Sequence, residues 1–280
     1  MTSAVDEKYQ KLAAILTNYG RLALAFSGGV DSAFLLKAAR EALPPENLLA
    51  ITAGAVIFPG WEAREAAELA AGLGVRHLTV DFDALAAPRL ADNPPDRCYH
   101  CKKALFQKMI GEADRQGFAV VADGGNLDDM DDYRPGARAT RELGVVSPLK
   151  EAGLTKADIR KLSAGLGLTT WNKPAFACLA SRFPYGQTIT GDKLKMVERA
   201  EEFLLGLGFR ELRVRHHGAM ARIEVGSAER SRFFDETFMD QVERQLRSFG
   251  FDFVALDLGG FRSGGFNQAV DPATLDKYRQ

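Results

Sequence analysis

The sequence predicts an α/β protein whose main part is a doubly wound parallel sheet, followed by a second, smaller α+β domain. Short apolar segments alternate with amphipathic helical segments through the first half of the chain. Strands separated by helices in this way pair in parallel. Near residues 171–187 the alternation gives way to a loop that contains Pro and Gly, so we predict domains over residues 1–185 and 186–280.

The predicted elements of the first domain follow one another at short intervals. Leu22–Phe26 is a short apolar strand that leads through a glycine turn into a helix over Ala33–Leu43. Thr155 and Asp158 have the spacing of a capping box, which predicts a helix that runs through Ala164. The remaining strands are Leu48–Thr52, Val75–Val80 and Phe118–Ala122, and the remaining helices are Glu62–Leu73 and Leu105–Arg115.

The second domain has two helical and three strand-like segments. Each helix is predicted from apolar residues on one face: Leu194, Val197, Leu204 and Leu207 in the first, and Phe238, Val242, Leu246 and Phe249 in the second. The strand-like segments are Glu211–Arg215, Ala221–Val225 and Phe251–Leu256. We expect these strands to form a short antiparallel sheet.

Composition limits the functional classes. The 280 residues are 46% apolar and carry a formal net charge of -1, whereas binding to long nucleic acid depends on a clustered basic surface. No segment reaches the ~18 uninterrupted apolar residues that a membrane helix needs. Met1–Gln10 lacks a basic stretch followed by an apolar one, so we expect no secretory signal and a cytoplasmic location. The expected partners exclude long nucleic acid and membrane.

A glycine-rich segment, Ser27–Ser32, joins the first predicted strand to its helix. Backbone amides and a helix N-terminus in such a turn surround an anion with partial positive charge. The segment lacks the lysine of a Walker A loop and does not match the dinucleotide fingerprint. It therefore predicts a phosphate site of another type, and an ordinary glycine turn is the alternative.

A second polar segment, Asp123–Asp129, follows the fourth predicted strand. Ligands of open α/β sheets bind at the carboxyl ends of strands, so this segment and the glycine-rich one should face the same crevice. Gly125 and Asn126 are its candidate ligand contacts. A solvated acidic turn is the alternative interpretation.

The three cysteines are too few, and odd in number, for a disulfide framework. Cys98 and Cys101 are three positions apart, a spacing that lets one segment give two ligands to a metal centre. With Cys178 they would supply three thiolates, which suit a [4Fe-4S] cluster with one open iron. Zinc normally has four ligands, of which His100 could be the fourth, and unrelated thiols are a further alternative.

Arg213 and Arg215 alternate along a predicted strand and so lie on one face, where their side chains could bind a phosphate bidentately. Arg262, which precedes Ser263–Gly265, is a candidate third donor. The alternative is a solvated sheet face on which the arginines pair with Glu211 and Glu224.

The glycine-rich segment resembles the pyrophosphate-binding loop of the N-type ATP pyrophosphatases. This resemblance implies that ATP is the cofactor and that Asp31 lies near Mg²⁺. The residues implied to contact the nucleotide are Ser27, Gly28, Gly29, Asp31 and Ser32, with Gly125 and Asn126 beside the adenylate.

Four further segments narrow the resemblance to the LarE family over nearly the whole chain: residues 96–102, 134–139, 173–182 and 213–218. LarE proteins are sulfurtransferases of pyridinium-3,5-biscarboxylic acid mononucleotide in the synthesis of the nickel-pincer nucleotide of lactate racemase. The resemblance implies that ATP adenylylates each of two carboxylates and that sulfur then displaces AMP.

In this family a cysteine matching Cys178 either donates its own sulfur or joins two others in holding a [4Fe-4S] cluster that carries sulfide. The pattern of Cys98, Cys101 and Cys178 predicts the cluster-dependent route. The resemblance also implies a homo-oligomer and a substrate-phosphate site formed by Ser181, Arg182, Arg213, Arg215, Glu224 and Arg262.

Two other functions remain open at this level. A tRNA 2-thiolation enzyme would also use such a loop with cysteines, although the charge and the lack of further Cys-x-x-Cys pairs count against it. A non-catalytic sensor of ATP or of an iron-sulfur cluster would bind nucleotide without releasing pyrophosphate. NAD or GMP synthetase is the weaker alternative, because neither chemistry needs three cysteines.

Overall fold

The computed structural model describes residues 4–130, 135–174 and 177–262. Strands and helices alternate through the first half of the chain: α1 (Ala4–Tyr19), β1 (Leu22–Ala25), α2 (Val30–Ala42), β2 (Leu48–Gly54), α3 (Gly60–Gly72), β3 (Arg76–Asp81), α4 (Arg97–Arg115), β4 (Val121–Ala122), α5 (Pro135–Glu142), α6 (Pro148–Glu151) and α7 (Lys156–Gly165). The later elements are α8 (Gly191–Gly206), β5 (Leu212–His217), β6 (Met220–Val225), α9 (Glu236–Ser248) and β7 (Phe253–Leu256). No helix within the described ranges combines the length and the apolar character needed to cross a bilayer.

The main sheet is parallel, with strand order β3-β2-β1-β4. β1 is central, with Leu22 opposite Leu48 of β2 and Ala23 opposite Val121 of β4. Successive residues of β1 pack into different apolar cores, because side chains of a strand alternate between the two faces of a sheet. The strand order changes direction between β1 and β4, which is where doubly wound sheets bind their ligands. The predicted fold class is confirmed.

Helix α4 is longer than its apolar pattern predicts, since it begins at Arg97 rather than at Leu105. Arg97, Cys101 and Leu105 are spaced four residues apart and lie on its buried face. The sequence pattern missed this turn because an arginine and a cysteine stand where apolar residues are expected. β4, in contrast, is shorter than the predicted Phe118–Ala122 and contains only two residues.

The second sheet has the order β5-β6-β7 and is mixed, so the expectation of an antiparallel sheet is wrong for one of its two pairings. β5 and β6 form an antiparallel hairpin, but β7 pairs in parallel with β6. The reason is the intervening helix α9, which returns the chain to the starting edge and so makes a crossover. An apolar core extends from Ala23 of β1 to Val214 of β5. The boundary between residues 185 and 186 stays a prediction.

Candidate active site

The glycine-rich turn after β1 depends on Gly28. Its φ is +68°, a left-handed conformation that residues with a side chain rarely adopt. A Cβ at this position would also lie 3.1 Å from Cβ of Ala66 on α3. The hydroxyl oxygens of Ser27 and Ser32 are 3.1 Å apart across the turn. The chain therefore forms a tight loop with hydroxyl groups at the start of α2.

The segment after β4 lies directly against this loop. A Cβ on Gly124 would be 3.1 Å from the backbone N of Ser32, so the two backbones approach closely there. Asp123 Oδ1 accepts hydrogen bonds from Gly125 N at 3.0 Å and from Ser147 Oγ at 2.7 Å. Asn126 is buried. The two polar segments thus share one crevice, as expected from the carboxyl ends of neighbouring strands.

Lys156 is a charged neighbour of the loop that the sequence analysis missed. Its Nζ lies 2.5 Å from Asp31 Oδ2, while Asp31 Oδ1 is buried and meets no hydrogen-bond donor among the described residues. Lys156 is the first residue of α7, whose predicted capping box of Thr155 and Asp158 is confirmed. A lysine at a helix N-terminus opposes the helix dipole, and this was the available sequence signal.

Lys173 brings a second ammonium group to the loop. Its Nζ is 3.3 Å from the carbonyl oxygen of Gly28 and 2.7 Å from Glu65 Oε2, and it lies 5.5 Å from the centre of the Trp61 ring. A cavity of about 830 Å³ opens beside these residues and continues to the C-terminal end of α8. Cationic groups therefore flank the loop on two sides.

The three cysteines are free thiols, and Cys178 lies within electrostatic reach of the other two. Cys98 and Cys101 lie in the first turns of α4, and Cys178 precedes a 3₁₀ turn whose Leu179 N donates to Ile57 O at 2.8 Å. Burial raises the pKa of Cys98 and raises that of Cys101 to about 12, and the charge of Cys178 adds to both effects. Across the described residues, no three Cys, His, Asp or Glu side chains already form a metal-ligand group.

Arg182 is fully buried and binds protein groups. Its Nε and Nη2 donate to the two carboxylate oxygens of Glu201 at 2.9 and 2.7 Å. Its Nη1 donates to the carbonyl oxygen of Cys178 at 3.1 Å, to that of Ala177 at 2.6 Å and to Ser181 Oγ at 2.9 Å. With 0% of its side chain exposed, Arg182 is enclosed by these groups and holds the cysteine loop, residues 177–182. Its contact with the substrate phosphate stays a prediction.

Arg213 and Arg215 lie side by side on the buried face of β5, with 6% and 5% of their surface exposed. This burial contradicts the alternative of a solvated sheet face. Arg215 donates to Glu224 Oε2 at 2.8 Å and to Ser181 O at 2.9 Å. Burial lowers the pKa of Arg213 to about 10, and the neighbouring charge of Arg182 acts in the same direction. Such a concentration of buried positive charge favours the binding of an anion.

Arg262 is exposed, and its guanidinium group packs over Gly259. Ser263–Gly265, Arg134 of the segment 134–139 and residues 175–176 lie outside the described residues.

Glu62 is a further residue that the sequence did not reveal. Burial raises its pKa to about 7, although Lys173, Arg182 and Arg213 act in the opposite direction. Its carboxyl group is therefore within electrostatic reach both of Lys173 at the glycine-rich loop and of the buried Arg182 and Arg213. Its position in the first turn of α3 is common for an acidic residue, so the sequence carried no signal.

The parallel sheet, its glycine loop and the adjoining polar segment define an α/β protein of the PP-loop type, which uses ATP. Pyridinium-3,5-bisthiocarboxylic acid mononucleotide synthase of Lactiplantibacillus plantarum is 42% identical over 268 residues, which are 96% of each chain. The present chain belongs to the family of that synthase, the LarE family.

Two other relatives are similar to the chain at lower identity. An uncharacterised protein of Synechocystis is 38% identical over 95% of the chain and 99% of its own length. Argininosuccinate synthase of Methanothermobacter thermautotrophicus is 26% identical over 65% of the chain and 48% of its own length, which relates the chain to other ATP-using PP-loop proteins. No protein-family model matches the chain.

Proposed function

We propose that this chain is an ATP-dependent sulfurtransferase that converts the carboxylates of pyridinium-3,5-biscarboxylic acid mononucleotide to thiocarboxylates in nickel-pincer nucleotide synthesis. The name of the Lactiplantibacillus relative describes the product of such a reaction. The observation that carries the proposal is the position of Cys178. Arg182 and Glu201 hold the cysteine loop beside the buried arginines, and Lys173 of the same segment contacts the phosphate loop.

The first step is activation of a carboxylate. Its oxygen attacks the α-phosphorus of ATP, the bond to pyrophosphate breaks, and an acyl adenylate forms. Ser27, Ser32 and the amides around Gly28 and Gly29 would hold the leaving phosphates, while Lys156 and Lys173 offset their charge. Asp31 Oδ1, a buried oxygen that meets no donor in the described part of the chain, suits a ligand to Mg²⁺. Gly125 and Asn126 would border the adenylate.

The second step replaces oxygen by sulfur. A sulfur nucleophile attacks the activated carbonyl carbon, a C–S bond forms, and the C–O bond to AMP breaks. Adenylylation makes this possible because AMP is a far better leaving group than a carboxylate oxygen. The substrate has two carboxylates, so two molecules of ATP are used for each bisthiocarboxylate product.

Cys98, Cys101 and Cys178 would hold a [4Fe-4S] cluster, which supplies a carrier for the sulfide that is transferred. Three free neighbouring thiols are the donor set that such a cluster takes when one iron stays open. Because burial raises the pKa of Cys98 and Cys101, assembly of the site must release protons. Catalytic rather than sacrificial use of Cys178 is part of this proposal.

The buried arginines would bind the phosphate of the mononucleotide. Arg213 and Arg215 supply the charge, Glu224 orients Arg215, and Arg262 is an exposed donor from the following segment. Arg182 and Ser181 contribute through the position of the cysteine loop. We further propose a homo-oligomer, supported by the exposed side chains of Phe253 and Leu258, which are 66% and 85% accessible. The free thiols favour the reducing cytoplasm.

The test combines two measurements on anaerobically reconstituted protein with Mg-ATP, hydrosulfide and the pyridinium mononucleotide. We expect pyrophosphate release that depends on the mononucleotide, with one AMP for each thiocarboxylate found by mass spectrometry. Nucleotide binding without such release would support the sensor alternative, and release that depends on tRNA would support the thiolation alternative.

A further inference from the structure

Arg97 is a buried cation, and two of its three guanidinium nitrogens donate to no group among the described residues. Only 4% of its surface is exposed. Within the described residues its Nε and Nη1 are buried and meet no hydrogen-bond acceptor. A buried guanidinium group in this state is costly, because it has lost water without gaining partners. Such a group is expected where an absent anion completes its contacts.

The guanidinium group of Arg97 is held in a defined position. It lies over the ring of Tyr185, 4.6 Å from the ring centre, and it hydrogen-bonds with the Tyr185 side chain. The neighbouring carboxylate of Asp96 is directed to other side chains, with Oδ2 3.3 Å from Arg89 Nη1 and 3.3 Å from His100 Nε2. Tyr185 therefore orients the cation without neutralising it.

Arg97 lies close to the thiols. Among the charged groups that change the pKa of Cys98, Arg97 has the largest effect, which lowers this pKa, and it also lowers the pKa of Cys101. The charges of Cys98 and Cys178 both raise the pKa of Tyr185, so this side chain lies within electrostatic reach of two of the three thiols. Lys102 also lowers the pKa of both α4 thiols, with a smaller effect than Arg97 at Cys98 and a larger one at Cys101. The unused donors of Arg97 thus belong to the surroundings of the sulfur site.

We propose that Arg97 donates hydrogen bonds from Nε and Nη1 to a hydrosulfide anion bound at the three-thiol site and so retains the sulfur for transfer. This inference rests on the proposed cluster-dependent function and adds a positioning residue to it. A planar guanidinium group suits this role because it offers neighbouring N–H donors with a permanent charge. Hydrogen bonds to sulfur also make the reduction potential of an iron-sulfur cluster less negative.

The experiment compares wild-type protein, Arg97→Met and Arg97→Lys after anaerobic reconstitution. Methionine is similar in length and lacks donors, and lysine keeps the charge without the planar fork. The control is Arg115→Met at the other end of α4, where the side chain is exposed. Iron content is measured first. Sodium hydrosulfide is then titrated and followed by electron paramagnetic resonance, and the midpoint potential is determined.

We expect Arg97→Met to bind hydrosulfide about tenfold or more weakly and to have a more negative potential, because hydrogen bonds to an anion are lost. Arg97→Lys should fall between it and the wild type, and Arg115→Met should match the wild type. If Arg97→Met takes up little iron, the lysine variant decides: weaker hydrosulfide binding supports the inference and wild-type affinity overturns it.

Failure of the inference and failure of the proposed function are distinguishable. Variants with an intact cluster and unchanged hydrosulfide affinity would refute the role of Arg97 alone. A raised KM for the pyridinium mononucleotide with unchanged hydrosulfide affinity would assign Arg97 to the substrate carboxylate and also refute it. Wild-type protein that takes up no iron would refute the cluster, and the inference with it.

Discussion

The two walls of the crevice differ in the exposure of their ion pairs. The nucleotide wall is formed by the phosphate loop, Ser27–Ser32, with its neighbours, and the opposite wall by Arg182, Arg213 and Arg215 with their partners. On the nucleotide wall, the phosphate loop is flanked by partly exposed ion pairs, such as Lys156 with Asp31, whose side chains are 32% and 24% exposed. On the opposite wall the pairs are buried: the side chains of Arg182 and Glu201 are 0% and 5% exposed. Exposed pairs contribute little to stability and exchange partners easily, whereas a buried charge cannot lose its partner without a large cost.

This difference matches what each wall must do. In the proposed mechanism the nucleotide wall receives ATP and releases pyrophosphate, so its cations must be able to leave Asp31 and Glu65 for phosphate oxygens. In the same mechanism the opposite wall must keep the cysteine loop at one position through both rounds of sulfur transfer. Buried ion pairs therefore suit the wall that must stay rigid, and exposed ion pairs suit the wall whose cations must change partners.

The largest effect is expected from a change that stops sulfur transfer on one wall and leaves carboxylate activation on the other. Cys178→Ala should abolish thiocarboxylate formation, because the nucleophilic sulfur site is lost, while substrate-dependent pyrophosphate release continues. Mass spectrometry of the product and a pyrophosphate assay measure the two steps separately. Sulfur transfer that persists in this variant would remove Cys178 from the mechanism.

Glu201→Gln tests the rigidity of the buried wall. The change leaves Arg182 without a counter-charge and weakens the acceptor for Val214 N, now 2.8 Å from Glu201 Oε1. We expect the free energy of unfolding to fall by about 3–5 kcal/mol, as for other broken buried pairs. The matched control is Glu243→Gln in the exposed pair with Arg247, where about 0.5 kcal/mol or less is expected. Equal values from urea denaturation would contradict the contrast between the walls.

Lys156→Met tests the exchangeable wall. Loss of a cation near the leaving phosphates should raise KM for Mg-ATP by roughly tenfold. A tenfold change corresponds to about 1.4 kcal/mol of binding free energy. The control is Lys8→Met, which removes a cation that lies 2.7 Å from Asp158 Oδ2 of the same helix, α7. Both variants should change stability by less than about 1 kcal/mol. A KM for Mg-ATP that changes in Lys8→Met but not in Lys156→Met would refute a role for Lys156 in phosphate binding.

Glu62 interacts electrostatically with cations of both walls, and its substitution is expected to have the smallest effect. Its pKa is raised from 4.5 to about 7, so between these values the folded chain holds a proton that the unfolded chain has released. The free energy of unfolding should therefore fall as pH rises through this window. Glu62→Gln should remove this contribution and stabilise the protein by about 1 kcal/mol above pH 7. An unchanged pH profile of the unfolding midpoint would contradict the burial of this carboxyl group.

The sequence predicts much of the local structure of the nucleotide wall and less of that of the opposite wall. The loop at Ser27–Ser32 and the segment after β4 are contiguous in sequence, and sheet topology alone brings them together. The pairing of Arg182 with Glu201 has no sequence signal, because no local pattern connects these two residues. The start of α4 at Arg97 is hidden for a different reason, since Arg97 and Cys101 occupy apolar positions of its pattern.

Strand and helix periodicity, the glycine turn, the capping box and the cysteine spacing were sufficient for the fold class and the family, because each depends on residues close together in the chain. Burial and long-range pairing settled the remainder. Three features depend on the packing of distant segments, which removes side chains from water. They are the enclosure of the arginines, the raised pKa of Glu62 and the two Arg97 nitrogens that meet no acceptor among the described residues.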